Sequence, residues 1–398
     1  MQFYNSSQRR RLLLLVLLMV SLLALMYVVA NRSEVQAPSV SSSKTPTKKA
    51  PAVEPQLTSS EVLAGLSHPW DITFLPDGTP IFNERSGEIS KIVDGKKQRI
   101  AQIGDVYRVG EGGLTGLALD AEFESNRFIY TCFNARTASG IDVRLVRWRL
   151  SEGASALTDR ADIVTGIPSN ASGRHSGCRV RVAKDGTLWV GTGDAAIASH
   201  PQNPNSLGGK ILHVTRDGMP ASNNLPAPFD PRIFSYGHRN VQGLALFDEP
   251  KDGVFGYSVE HGSDIDDEVN ALRSGNFGWA PRVTYVERGI PMTDKERFPE
   301  AVSALWSSGI PTIAPSGAVI LKGEQWGTWN GAAAVAVLKD KHVRILKFTA
   351  SGVLELEKKI LTDFGRIRST ALGSDGNLYL TTDNGTNDKI IKVTPSGN

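Results

Sequence analysis

Residues 179–194 read RVRVAKDGTLWVGTGD. Apolar side chains alternate up to Asp185-Gly186 and resume beyond it. Asp-Gly between alternating apolar residues is the strongest short-range hairpin signal, because both central positions accept positive φ. The same unit recurs as DITFLPDGTPIFNE from Asp71, GLALDAEFESNRFIYTCF from Gly116, GLALFDEPKDGVFGYSVEHG from Gly243, GAVILKGEQWGTWNGAAAVAVL from Gly317 and TALGSDGNLYLTTDNG from Thr370. Successive starts lie about 45 to 75 residues apart, which leaves room for about four short strands each and matches a propeller blade. Long amphipathic helices are not evident, so barrels and doubly wound sheets of α/β type fit poorly. The expectation is an all-β chain forming a six-bladed β-propeller, with a pair of β-sandwiches as the alternative.

Composition agrees. The 39 glycines and 21 prolines in 398 residues favour many tight turns. The 44 Lys and Arg against 41 Asp and Glu give a net charge of +3, but residues 1–58 hold seven basic and two acidic side chains, leaving 37 against 39 in the body. A near-neutral body offers no clustered basic face for nucleic acid. Cys132 and Cys178 are too few for a disulfide scaffold or a four-cysteine zinc site. They form one bridge or remain free, and free buried thiols are the expectation.

Arg9-Arg10-Arg11 precedes Leu12–Ala30, nineteen residues without a charge. That length spans a bilayer as a helix, and the basic flank keeps its own side cytoplasmic. Residues 1–30 therefore read as an N-terminal membrane anchor, with a cleaved signal segment as the alternative, since Ala30 offers a small residue for cleavage. Residues 31–58, rich in Ser, Pro and Lys, read as a flexible linker, and residues 59–398 as the propeller. The body is then expected in the periplasm, or outside the cytoplasm more generally, tethered to the inner membrane through residues 12–30 or soluble after cleavage.

Residues able to carry chemistry flank the hairpins. His175 precedes one strand of the quoted unit and Asp194 follows the next, so the two ends meet on one rim, where a carboxylate can orient an imidazole and make it a better base. GHRNVQG places Arg239 and Asn240 before a strand, and a guanidinium there can hold a carboxylate or polarise a carbonyl. EHGSDIDDEVNALRSGNFGW is rich in the hard oxygen ligands that suit Ca²⁺, although its spacing is not that of an EF-hand. Lys339 with Arg366 and Arg368 forms a basic set, and arginines at i and i+2 on a strand face the same way. Each has a plainer reading as a solvated loop or face.

Taken in order, GEGGLTGLALDAEF, RHSGCRV with VGTGD, LGGKILHV, YGHRNVQGLAL, EHGSDIDDEVNALRSGNFGW, PTIAPSGAVI, VLKDKHVRIL and GRIRSTALGSDGNLYLTTDNG resemble the soluble pyrroloquinoline quinone (PQQ)-dependent aldose sugar dehydrogenases, over roughly residues 62–395. The resemblance implies oxidation of an aldose at C1 to the lactone, with PQQ and Ca²⁺ as cofactors and an unknown electron acceptor. It implies His175 as general base, Asp194 as its orienting partner and Arg239 as stabiliser of charge on the quinone. Cofactor contacts would fall to Glu111, His175, Arg239, Asn240, Lys339, Arg366 and Arg368. Metal contacts would fall to Gly262 and Ser263 for one Ca²⁺, and to Glu268 and the backbone at Phe277 for a second.

The departures are specific. Glu111 stands where the family often has Gln, and a carboxylate beside an anionic cofactor repels it unless paired. Phe277 replaces a Tyr. Ile310 stands where an aromatic commonly covers the cofactor, with Trp306 four residues earlier. Arg174 and Cys178 flank His175 in place of small or acidic neighbours, and the connection around Asp248–Gly253 is longer. Two other classes share the fold: a calcium-dependent lactonase, whose axial metal would need acidic and amide side chains where His and Arg stand here, and a non-catalytic binding propeller, which needs no His–Asp pair.

Overall fold

The computed structural model describes residues 52–396, together with Val16, Met19, Val20, Ser21 and Leu23. The rest of the expected anchor and of the linker up to residue 51 lies outside the described residues. Residues 1–51 and 52–398 are separate units, and the second holds the blades.

Six antiparallel sheets follow one another along the chain, the third extended by a parallel strand at Gly275–Asn276. Their inner strands are Pro69–Phe74, Leu114–Leu119, Gly177–Val182, Val241–Lys251, Pro315–Ile320 and Ile367–Leu372. Each contains the start of one sequence repeat. These six pack side by side in a closed ring, the last against the first, so the fold is a six-bladed β-propeller. Between its inner and second strands every blade carries a register irregularity within the first few pairs. Such bulges sharpen the local twist and re-aim side chains at a rim.

The sixth blade is composite. Strand Gln56–Leu66 pairs antiparallel with Asp388–Ser396 and becomes its outermost strand. Gln56–Thr58, which read as the end of the linker, are therefore already in the sheet. Apolar side chains from facing sheets fill each interface between neighbours: Cys132, Leu145, Val180 and Leu212 between the second and third blades, for example, and Ala245, Val259, Val335 and Leu346 between the fourth and fifth.

Near the axis the inner strands approach closely. A Cβ on Gly243 would lie 2.2 Å from the carbonyl oxygen of Ser316 in the next blade, so a larger residue would push the ring apart. Polar side chains occupy the axis. Asp71 of the first blade, wholly buried, accepts from Arg179 and Arg181 of the third, each at 2.7 Å, and from Ser369 of the sixth at 3.1 Å. Burial pushes the Asp71 carboxyl up, but the two guanidinium groups outweigh it and hold it below the usual range. Burial lowers Arg179 to about 10, so it stays charged at neutral pH.

Cys132 and Cys178 are bridged, with Cα atoms 5.4 Å apart. The expectation of free thiols is corrected. Cys132 lies on the second strand of one blade and Cys178 on the inner strand of the next, and tertiary packing across that interface is what brings them together.

Removing Asp71 would leave Arg179 buried without its counter-charge, a situation that costs about 3–5 kcal/mol. Asp71→Ala should lower the unfolding free energy by about that amount in urea titration; a loss within experimental error would show that the axial pair is dispensable.

Candidate active site

The third blade builds the centre of the site. Its inner and second strands run antiparallel from the Asp185-Gly186 turn, with Gly177 opposite Thr192 at the far end. His175 and Asp194 therefore emerge beside each other. A Cβ on Gly193 would sit 1.9 Å from the carbonyl oxygen of His175, so only glycine lets the two strand ends close to this distance. His175 itself has φ +53°, and Ala195 and Ala196 have φ +55° and +52°. Left-handed backbone at non-glycine residues costs energy and persists only where surrounding structure enforces it.

The pair is buried. His175 Nδ1 lies 2.8 Å from Asp194 Oδ1. Asp194 also accepts from the Ala196 N–H at 2.8 Å, the Trp279 indole N–H at 2.8 Å and the Tyr285 hydroxyl at 2.7 Å. Each of these donors finds its acceptor in the Asp194 carboxylate, which faces them with oxygens only. In the neutral tautomer that this contact selects, Nδ1 carries the hydrogen and the lone pair lies on Nε2.

Arg239, nearly buried, donates from Nε and Nη2 to Glu287 Oε2 at 3.0 and 2.9 Å and from Nη1 to the His261 carbonyl at 2.9 Å. A guanidinium has five N–H donors, so one on each Nη stays available to a ligand. Asn240 is more fully committed. Its Oδ1 accepts from the Gly177 N–H and from Gln242, and its Nδ2 donates to Glu111 at 3.0 Å. Glu111 also accepts from the His175 backbone N–H at 3.3 Å and lies in the field of Arg85 and Arg368. The carboxylate is thus paired, which is what a place beside an anionic cofactor would require.

Arg366 and Arg368 both converge on Asp383, which sequence reasoning did not single out. Arg368, buried, pairs with the Asp383 carboxylate and lies with its guanidinium carbon 3.7 Å from the Trp70 ring centroid, while Arg366 donates to the Asp383 carbonyl at 3.0 Å. Lys339 is exposed and reaches Thr312 Oγ1 at 3.2 Å. Arg85 is a further cation: its Nε is buried with no hydrogen-bond partner among the described residues, and Arg108 and Arg368 add to the positive field around it. His261 Nε2 is likewise buried and unpartnered, and burial, with Arg368 and Arg239, pushes that imidazole down to about 3, so it is neutral. Orphaned donors among guanidinium groups are what a polyanionic, heteroatom-rich cofactor would satisfy, so these residues fit PQQ.

The loop expected to hold metal is pinned by Asp267, whose carboxylate accepts from the backbone N–H groups of Gly262, Ile313 and Ala314. It ties Gly262 and Ser263 to the segment that precedes the fifth blade. At the second expected site, Glu268 accepts from Thr293 at 3.0 Å and shares Asn270 with Glu260. Burial, reinforced by Glu260, pushes Glu268 up to about 8, and Asn270 Oδ1 is buried with no partner among the described residues. Crowded carboxylates and an unsatisfied amide oxygen form a donor set that suits a hard cation such as Ca²⁺. Phe277 is buried nearby, its ring stacked on His238 at 4.4 Å. His68, Asp383 and Asp388 also bring ligand atoms within 4.8 Å of one another. There, however, Asp383 is held by Arg368, and Asp388 accepts from Thr382 and the backbone of His68 and Gly385.

Two expectations about aromatic cover resolve structurally. Trp306 sits on the outermost strand of the fourth blade, donating to Glu357, and Ile310 is 81% exposed. Missed entirely were Tyr285 and Glu287, which reach the site from the segment beyond Trp279. Their only sequence signal was that this long segment lies between the loop expected to hold metal and the fifth blade.

A family model described as glucose/sorbosone dehydrogenase matches residues 66–392. The uncharacterized protein slr1608 of Synechocystis sp. is 31% identical over 373 residues, covering 86% of this chain and 87% of that protein. The aldose sugar dehydrogenase YliI of Escherichia coli is 30% identical over 358 residues, covering 86% of this chain and 94% of that protein. Among solved structures, the PQQ-bound aldose sugar dehydrogenase of Streptomyces coelicolor superimposes with a TM-score of 0.73 at 29% identity, covering 87% of this chain and all of that one.

Proposed function

The chain belongs to the glucose/sorbosone dehydrogenase family, and from that premise we propose that it oxidises an aldose at C1 to the lactone, using PQQ, with His175 as general base. Sugar oxidation follows from the family; cofactor, product and base are our reading. The observation that carries it is the buried His175–Asp194 pair, with its lone pair on Nε2, beside the two uncommitted N–H groups of Arg239.

When bound, PQQ supplies a quinone that accepts hydride. His175 Nε2 would take the proton from the C1 hydroxyl as the C1–H hydrogen departs with its bonding pair as hydride and the C1–O bond becomes a carbonyl, so that one hydride and one proton leave the sugar by separate routes. Asp194 would hold the imidazole in the tautomer this requires and stabilise the imidazolium. Arg239, a fixed cation, would stabilise negative charge arising on a quinone oxygen. Arg366, Arg368 and Lys339, with Glu111 and Asn240 around the base, would hold the cofactor. Gly262 and Ser263 would offer carbonyl oxygens to one Ca²⁺, and Glu268 with the Phe277 backbone would serve a second. We place the propeller outside the cytoplasmic membrane, on the reading of residues 12–30 as an export segment.

The lactonase alternative is less well supported, since His261, Arg239 and Arg368 crowd the axis where its metal ligands would need to be.

His175→Ala should lower kcat by about 10²–10⁴-fold with PQQ binding retained, because the cations lie elsewhere; near-normal turnover would remove His175 from the mechanism. Charge-assisted contacts are each worth about 1.5–3 kcal/mol, so combining Arg366→Ala with Arg368→Ala should weaken PQQ affinity by orders of magnitude in titration. An unchanged affinity would dissolve the proposed clamp. Calcium held by neutral carbonyls needs the cofactor's oxygens, so Ca²⁺ and PQQ should each raise the other's affinity. Isothermal titration of PQQ with and without Ca²⁺ reads that coupling, and equal affinities would mean that Gly262 and Ser263 do not share a metal with the cofactor.

A further inference from the structure

Beyond Trp279 the chain leaves the blades. It returns through a tight reversal in which Arg282 and Val286 form a β-bridge, and Tyr285 N–H donates to the carbonyls of Arg282 and Val283. Trp279, Ile290 and Met292 form a small apolar cluster at the base of this excursion, which anchors both of its ends. Its tip is solvated, with Val283 89% exposed. Tyr285, in contrast, turns inward at φ +56°, a conformation that bulky side chains rarely adopt.

The reversal delivers the Tyr285 hydroxyl to within 2.7 Å of Asp194 Oδ2 and 2.8 Å of His175 Nδ1. Arg174 covers the outer face of the ring, its guanidinium carbon 5.4 Å from the centroid. His175, Tyr285 and the two residues after Asp194 therefore all hold left-handed backbone. Strain repeated in each arm of one hydrogen-bonded group points to a demand on geometry there rather than to the needs of the fold.

We propose that Tyr285 is a positioning residue for the reaction: its O–H donates to Asp194, which holds His175 in the Nδ1–H tautomer and sets how strongly Asp194 raises the basicity of Nε2. The inference rests on the reading of His175 as the base. A phenolic O–H at this distance can serve Asp194, which only accepts, while its oxygen faces Nδ1–H, so a protonated Nε2 tautomer would leave Nδ1 facing a carboxylate without a hydrogen between them. The same donation withdraws charge from the carboxylate and tempers its pull on an imidazolium.

The groups facing His175 are Asp194, Tyr285 and His261, with Arg239 in the field of the last two, Glu111 at its backbone and Arg174 next to it in the chain. Of these only the Tyr285 hydroxyl is removed by Tyr285→Phe. Tyr285→Phe takes a donor from Asp194 and also the neutral oxygen that faces Nδ1–H; the full charge of the carboxylate at Nδ1 outweighs that lost dipole, so the folded His175 pKa rises and the base is lost at higher pH.

Ring ¹⁵N NMR of the cofactor-free protein should show the His175 titration raised by about one pH unit in Tyr285→Phe. Replacing the Tyr285 ring by 3-fluorotyrosine, a stronger donor of nearly equal size, should move it the opposite way. In the PQQ-reconstituted enzyme the acid limb of kcat/KM should follow the same two shifts, with PQQ affinity unchanged. A folded Tyr285→Phe protein whose His175 titration is unmoved, or lowered, overturns the positioning role. If the titration moves and the acid limb does not follow, Tyr285 still tunes the imidazole and it is the assignment of His175 as base that falls.

Discussion

A ring of six sheets encloses an axis only if the last sheet is locked to the first. Here that lock is the pairing of Gln56–Leu66 with Asp388–Ser396, which makes the two ends of the folded body one blade. Opening it would free two neighbouring blades at once, because each buries its apolar face only against the next. The axis reinforces the closure. Asp71 draws a first-blade strand toward Arg179 and Arg181 of the third and Ser369 of the sixth, so opposite sides of the ring share one buried charge.

Closure also determines what the site can be. With the ring shut, strand ends from non-neighbouring repeats face a common mouth, and cations that would repel in solution are held together: Arg239 from the fourth blade, Arg368 from the sixth and Arg85 from the first. Their repulsion is offset only in part by Asp383, Glu287 and Glu111, each fixed by its own hydrogen bonds. The folding energy of the ring thus holds a positive, partly unsatisfied group of side chains in place, and pre-organisation of this sort is what makes electrostatic stabilisation effective.

The disulfide acts at the same place. It joins Cys132 to Cys178, three residues beyond His175, across the interface of the second and third blades. It therefore braces the strand on which the His175–Asp194 geometry depends, at the point where Gly177 and Gly193 press the strand ends together.

What the sequence by itself determined is the local part. Asp-Gly turns between alternating apolar runs specify hairpins, and their repetition at blade spacing specifies the propeller, because turn chemistry and strand period act over a few residues. The adjacency of His175 and Asp194 was legible for the same reason, both being ends of one hairpin. Only tertiary structure decided the rest. Whether Cys132 meets Cys178 depends on how two blades pack, and nothing within either strand encodes it. That Gln56–Thr58 belong to a sheet depends on a partner more than 300 residues away. That Glu111 is paired depends on Asn240 and the His175 backbone, which reach it from other blades. Tyr285 and Glu287 arrive from an irregular excursion whose path has no sequence period, so their place on Asp194 and Arg239 follows from its anchoring by Trp279, Ile290 and Met292.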